Sequence, residues 1–159
     1  DFIENLDKIT IAAINGACFG GALELALACH FRLCVDKTRL GLTEVMNGLV
    51  PAAGGIPRLM ALVGRSRALE LVFLGSMISS QQALEIGLVH RVFAPQSFAE
   101  QVDGFIRTLL LNGTAVNRTL VRLCREARCE GSPSRRHSLA AHCVDLFLGN
   151  GYNSRRAGE

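Results

Sequence analysis

Tryptophan is absent from the 159 residues, tyrosine occurs once, and aromatic residues make up only 6% of the chain. A core of this length must then be built from aliphatic side chains and alanine, which the 49% apolar content can supply. Charge is also sparse, at 19% of residues with a net of +3. That composition excludes a disordered polyelectrolyte. It offers no basic surface for nucleic acid either, because the arginines (Arg118, Arg122, Arg125, Arg128, then Arg135-Arg136 and Arg155-Arg156) are dispersed with few aromatics between them. No stretch approaches the roughly 18 uninterrupted apolar residues of a membrane span. There is no Cys-x-x-Cys pair and no His at zinc-ligand spacing beside a Cys, so no metal site is predicted. Cys18, Cys29, Cys34, Cys124, Cys129 and Cys143 read instead as reduced core thiols, small hydrophobes of an intracellular protein. The opening residues Asp1 to Leu6 are neither a signal nor a transit peptide. The sequence does not begin with Met, which reads as a start within a longer protein whose targeting information lies elsewhere.

What is present is organised around Asn15 to Leu27. An apolar strand-like run, Ile9 to Ile14, ends in a glycine-rich turn that opens a short helix, with the carboxylate Glu24 near its start. Gly20 and Gly21 carry no side chain, so a ligand can approach their N–H groups. A helix start leaves N–H groups unpaired and carries partial positive charge, which suits an oxygen gaining negative charge. The same glycines also serve a tight strand-to-helix turn. A nucleotide-phosphate site is a poor fit, since the spacing is neither G-x-G-x-x-G nor the P-loop pattern with its Lys.

The rest of the chain divides in two. Residues 1–94 read as mixed α/β. Lys8–Ile14 is a continuous apolar run expected to form a strand buried on both faces. A helix over 21–29 and a strand over 31–35 complete a parallel βαβ unit. Asp36 to Arg39 is a polar turn, and Leu40 to Leu42 is extended. Glycines and prolines mark residues 47–57 as a loop. It leads to a helix from Pro57 to Val63 with Gly64 at its C-terminal end, and then to a second from Ser66 to Leu74 ended by Gly75. Ser79 with Gln82 forms a capping box for a helix to Ile86, and Leu88–Phe93 returns to strand. Residues 95–159 read as three amphipathic helices at 3.6-residue spacing. Their stripes are Phe98, Val102, Phe105, Ile106, Leu109 and Leu110, then Val116, Leu120, Leu123, Cys124 and Ala127, then Leu139, Cys143, Leu146 and Phe147. Such a region covers its own sheet or packs on a neighbouring subunit.

The order of these features resembles the crotonase family, the enoyl-CoA hydratase/isomerase superfamily. The resemblance rests on Ile11-Ala12-Ala13-Ile14-Asn15-Gly16, Gly20-Gly21-Ala22-Leu23-Glu24-Leu25-Ala26, Gly41-Leu42-Thr43-Glu44 and Gly48-Leu49-Val50-Pro51-Ala52-Ala53-Gly54-Gly55. It continues with Arg58-Leu59, Val63-Gly64, Ala68-Leu69-Glu70-Leu71 and Ala83-Leu84-Glu85-Ile86-Gly87-Leu88-Val89. It is dense over residues 8–94 and loose in the helical tail. It implies an α/β fold, a crotonase-like spiral of ββα turns over 1–94, with a helical C-terminal region over 95–159 for trimerisation or active-site cover. It implies acyl-CoA thioester substrates, and a homotrimer or hexamer. It also implies that the chain lacks the N-terminal part of the domain, which supplies the other oxyanion donor. No cofactor is expected beyond the coenzyme A of the substrate itself, no nucleic-acid or membrane partner, and a cytoplasmic location, or the mitochondrial matrix in a eukaryote.

The family's chemistry sets what these residues would do. Water attacking C3 of a 2-enoyl thioester pushes negative charge onto the thioester oxygen, and donors at that oxygen and carboxyls that place water lower the barrier. Gly21 matches the position whose N–H is one oxyanion donor, a contact worth about 3–4 kcal/mol of transition-state stabilisation. Glu24 and Glu44 match the two catalytic carboxylates, the first cast as base toward water, the second as acid toward C2. Having both favours hydration or dehydration over isomerisation, decarboxylation or hydrolysis, and argues against a non-catalytic scaffold or RNA-binding relative. The chain departs from the family at Ala22, where a third glycine is common, at His30, Thr43 and Ala52. Loss of a proline at Thr43 loosens the backbone that aims Glu44. Leu40, Leu42 and the 47–56 loop are expected at the acyl pocket. His30, His90, His137 and His142 have no Ser or Cys partner, which excludes a triad hydrolase. Cys18, in the glycine loop, reads as a packed thiol rather than a nucleophile at a helix N-terminus.

Overall fold

A computed structural model describes residues 2–128. In chain order it contains β1 (Ile11–Ile14), β2 (Cys18–Phe19), α1 (Gly21–Leu27), β3 (Phe31–Val35) and β4 (Arg39–Gly41). These are followed by α2 (Gly55–Val63), α3 (Arg65–Leu74), β5 (Ile78–Ser79), α4 (Ser80–Glu85), β6 (Arg91–Phe93), α5 (Phe98–Leu110) and α6 (Thr114–Arg128). Short 3₁₀ turns cover Ile3–Asn5, Glu44–Asn47 and Pro95–Ser97.

The strands form two small sheets, ordered β1-β3-β6 and β2-β4-β5. β1 runs parallel to β3, with Ile11 opposite Phe31, and β3 parallel to β6, with Leu33 opposite Arg91. β2 is parallel to β4 and β5 antiparallel to it. Two successive stretches, β1-β2-α1 and β3-β4-α2, therefore lay their first strands in one sheet and their second strands in the other. This is the expected ββα winding, and β1-α1-β3 is the expected parallel crossover. Between the layers lies an aliphatic core: Leu23, Leu33, Leu40, Leu42, Leu59 and Leu88 are each almost fully buried.

Local signals act where they were read. Ser79 accepts from the Gln82 N–H, and its own N–H donates to the Gln82 side chain, closing the capping box at the start of α4. Gly75 ends α3 in the left-handed region, at φ +58°. Arg32, only 2% exposed, closes the C-terminal end of α1. Its guanidinium donates to the carbonyls of Ala26, Cys29 and Leu88 at 2.7–3.2 Å, so its charge meets backbone acceptors at the negative end of α1 and of the segment beside it.

Some of these expectations need correction. β1 is not buried on both faces: only Ile14 is buried and Ala13 is exposed. Among the described residues β1 is an edge strand that pairs with β3 alone, so they leave its other edge uncovered. On α6 the apolar stripe turns largely away from the body, which the expectation that this region covers its own sheet or packs on a neighbouring subunit allows. Asn117 and Val121 are buried, whereas Leu120 is 46% exposed and Val116, Cys124 and Ala127 are exposed. Polar anchors fix that rotation: the Asn117 side chain donates to the Leu109 carbonyl at 2.7 Å, and Arg125 donates to Asn5 and pairs with Asp7. Cys124 is therefore not a core thiol, although Cys18 and Cys34 are. α5 does cover its own sheet, with Phe105 edge-on to Phe31 at 5.2 Å. Leu40 and Leu42, expected at an acyl pocket, sit in the main core instead. The third predicted helix, His137, His142, Cys129 and Cys143 lie outside the described residues.

His90 couples the sheet to solution pH. Its Nδ1 accepts the Arg32 N–H at 3.2 Å, its N–H donates to the Arg32 carbonyl, and its ring packs edge-on against Phe31. Burial, and then the Arg32 charge, push the imidazole below its ordinary value. The neutral ring is thus the folded form, while the unfolded chain binds the proton first as pH falls. Stability from this group is full above the ordinary His value of about 6.5 and is lost as pH drops through the depressed folded value. The expected result is a lower urea midpoint at pH 5.5 than at pH 7.5, and a smaller difference in His90→Asn, whose amide oxygen accepts the same N–H without titrating.

Candidate active site

The glycine turn is built by β2. Its pairing with β4 carries the Gly20 N–H onto the Gly41 carbonyl at 2.9 Å. Gly20 then turns at φ +54°, a conformation that L side chains rarely adopt, and α1 begins at Gly21. Of the two glycines expected to offer N–H groups, only Gly21 does so, because Gly20 is engaged in the strand ladder. The first residue of a helix has no intrahelical acceptor for its N–H. Gly21 is exposed, and no atom lies within 4 Å of where its side chain would project. Ala22 is already helical, so its Cβ is accommodated. Beside it an open groove of about 340 Å³, lined by Ile11, Ile14, Ala22, Leu25 and Cys29 among others, runs along β1 and α1.

Glu24 lies in the first turn of α1 and is 5% exposed. Its Oε1 accepts the N–H of Ala53 at 2.9 Å and the N–H of Gly55 at 2.8 Å. No donor among the described residues reaches Oε2. One N–H comes from the loop before α2 and the other from Gly55, the first residue of α2, which is packed so closely that a Cβ there would stand 2.8 Å from Glu24 Cγ. One carboxylate oxygen is thus fixed by two backbone donors at a helix start, where negative charge is favoured.

Glu44 reaches the same turn from β4, the strand paired with β2. It opens the 3₁₀ turn after β4, and its carboxyl lies against Gly20, where a Cβ would stand 3.3 Å from Oε1 and 3.8 Å from Oε2. Both oxygens are buried, and neither meets a donor among the described residues. An unpaired buried acceptor costs about 1–3 kcal/mol, more when charged. Of the residues singled out in the sequence, Gly21 and Glu44 therefore meet at Gly20, and Glu24 lies in the first turn of the helix that Gly21 opens, its carboxyl against Ala53 and Gly55. Thr43 caps this 3₁₀ turn through its backbone position alone, with no side-chain hydrogen bond.

Sequence reasoning missed the supports. Ala53 and Gly55 hold Glu24 from 29 and 31 residues away. Behind them Arg58 donates to the Ala53 carbonyl at 2.7 Å and pairs with Glu4. The Gly54-Gly55-x-x-Arg58 spacing was the signal that could have found them. His30 is bound at the end of α1 by Thr10, whose hydroxyl lies 2.7 Å from Nδ1, and takes no place among the carboxylates. Cys18 is buried and its thiol is pushed up by burial, as an inert packed cysteine would be. Cys34 is pushed up to about 12, by burial and then by the charges of Cys18 and Asp36. No helix of the described residues is long and apolar enough to cross a membrane.

A family model for enoyl-CoA hydratase/isomerase matches residues 1–137. The chain is 52% identical over 99 residues to the fatty acid oxidation complex subunit alpha of Idiomarina loihiensis, covering 61% of this chain and 14% of that one. It is 53% identical over 92 residues to the same subunit of Shewanella frigidimarina, covering 57% of this chain and 13% of that one. Among solved structures, an enoyl-CoA hydratase of Geobacillus kaustophilus superposes with a TM-score of 0.87 at 32% identity, over 95% of this chain and 57% of that one. A Thermobifida fusca protein named for the same activity, solved with acetoacetyl-CoA, gives 0.85 at 28% identity, over 92% of this chain and 58% of that one. The chain thus spans about a seventh of the curated relatives and just over half of the solved ones.

Proposed function

The chain belongs to the enoyl-CoA hydratase/isomerase family, and on that premise we propose that the protein adds water across the 2,3 double bond of a 2-enoyl-CoA thioester. The observation that carries the reading is that two carboxyls flank one glycine turn, Glu44 against Gly20 and Glu24 in the first turn of the helix that Gly21 opens, where the Gly21 N–H has no intrahelical acceptor. The thioester oxygen takes the Gly21 N–H, which strengthens as the enolate forms. Glu24, with Oε1 fixed by Ala53 and Gly55, presents Oε2 to the water and takes its proton as oxygen bonds to C3. Glu44, whose two oxygens have no donor of their own among the described residues, holds the same water and delivers a proton to C2. Neighbouring carboxyls titrate as a pair, so the two roles belong to the dyad. Coenzyme A enters as part of the substrate, and the apolar groove along α1 borders the donor end of the site. Double-bond isomerisation places negative charge on the same thioester oxygen, in a dienolate formed by removing a C–H proton and quenched by returning it at another carbon, with no water added.

The test uses the intact protein and a short 2-enoyl-CoA in heavy-oxygen water. Hydration is expected to remove the conjugated-thioester absorbance and to leave one heavy oxygen at C3 of a 3-hydroxyacyl product. A 3-enoyl product without heavy oxygen would assign isomerisation instead. Retention of substrate, with no binding of acyl-CoA, would overturn both.

A further inference from the structure

We infer that Arg58, held by Glu4, is the positioning residue of the Glu24 carboxylate and acts on it through the Ala53–Gly55 loop; only the chemical step assigned to Glu24 rests on the hydratase reading. Glu24 is held by the N–H of the loop residue Ala53 and the N–H of Gly55, the first residue of α2, neither of them in a sheet or a helix interior. The loop's Ala52 and Ala53 are exposed, and Gly54 turns in the left-handed region at φ +89°. Such a backbone keeps its two N–H groups on one oxygen only if something fixes its dihedrals. Arg58 does so from the first turn of α2. Its Nη1 donates to the Ala53 carbonyl at 2.7 Å, and the same guanidinium lies over Gly54, where a Cβ would stand 2.4 Å from Nη1. Ala53 is thus held at both ends, its carbonyl by Arg58 and its N–H by Glu24.

Glu4 makes that grip rigid. Arg58 Nη2 donates to Glu4 Oε2, with side-chain exposures of 13% and 19%. The hydrogen bond to Glu4 pushes Arg58 above its ordinary value; burial opposes it, and the charges of Glu4 and Glu24 add to it. One planar fork therefore spans a carboxylate from the 3₁₀ turn at Ile3–Asn5 and a carbonyl of the active loop. A lysine offers a single point of donation on a flexible stem and cannot hold both in this geometry.

The experiment compares wild type, Arg58→Ala, Arg58→Lys, Glu4→Gln and Glu24→Gln in the intact protein, with two readouts. The first is the NMR shift of the Ala53 and Gly55 amide protons, which reports their hydrogen bonds to Glu24 whatever the reaction. Arg58→Ala is expected to move both in the direction that Glu24→Gln moves them, and Arg58→Lys to move them part of the way. The second is turnover of 2-enoyl-CoA. Arg58→Ala is expected to lower kcat by about 10²-fold with little change in KM, the size of effect that a displaced catalytic group produces. Adding Arg58→Ala to Glu24→Gln is expected to cost nothing further, because both act through one carboxylate. Unmoved amide shifts in Arg58→Ala, or full additivity with Glu24→Gln, would overturn the inference. Should Arg58→Ala not fold, Arg58→Lys and Glu4→Gln carry the test, and unmoved amides in both would overturn it. A wild type without hydratase activity sinks the proposed reaction, while the amide shifts still decide the role of Arg58.

Discussion

Glu24→Gln and Glu44→Gln are each expected to lower turnover of a short 2-enoyl-CoA by about 10²–10⁴-fold, with acyl-CoA binding retained. Both changes keep side-chain volume and remove a group that can take or give a proton. At Glu24 the glutamine oxygen can still accept from Ala53 and Gly55, so the loop keeps one of its anchors, but the remaining NH₂ cannot deprotonate water. At Glu44 the effect has a different origin. Neither oxygen has a donor among the described residues, so the carboxyl is not part of a structural network whose loss would loosen the fold. Its removal should leave the thermal midpoint near wild type while abolishing the proton delivery. The double variant is expected to be little worse than the more impaired single one, because the two carboxyls serve one water. A single variant within about threefold of wild type in kcat would remove that residue from the chemistry.

How much of this was legible beforehand depends on the range of the interaction. The crossover β1-α1-β3, the capping box at Ser79 and the glycine ends of α2 and α3 are set by neighbours in sequence, and they were read correctly. The two-residue strands β2 and β5 were not, since alternation needs about four residues to register. They matter nonetheless, because β2 fixes the Gly20 N–H on Gly41 and so leaves Gly21 as the donor. Periodicity told which residues share a face of α6, but not which way the face turns; Asn117 and Arg125 decide that through partners elsewhere in the chain. For the site, the motifs gave Gly21, Glu24 and Glu44. The donors of Glu24 and the guanidinium behind them come from a loop and a helix some thirty residues on, and no local pattern says which loop N–H will meet which carboxylate.

Gly55→Ala separates those long-range supports from the fold itself. Gly55 is the first residue of α2, is buried, and does not lie in the left-handed region, so an alanine there meets no backbone penalty. In a helix, alanine is favoured over glycine by roughly 0.5–1 kcal/mol. The cost falls entirely on what the new methyl meets, which is Glu24: Cγ and Oε1 at 2.8 Å and Cδ at 3.2 Å. The two contacts at 2.8 Å are closer than real Cβ atoms come, so the carboxylate must withdraw from the Ala53 and Gly55 N–H groups. The neighbouring Gly54 makes the contrast, since at φ +89° an alanine would strain the backbone whatever the space. For Gly55→Ala the expected result is a thermal midpoint close to wild type and a kcat lower by about 10²-fold, as for other displacements of a catalytic group by about an ångström. Equal loss of stability and activity would mean that the methyl is accommodated by moving α2 and not Glu24. Unchanged activity would mean that the Oε1 contacts to the loop do not govern the reaction, and the burden of aiming the water would pass to Glu44.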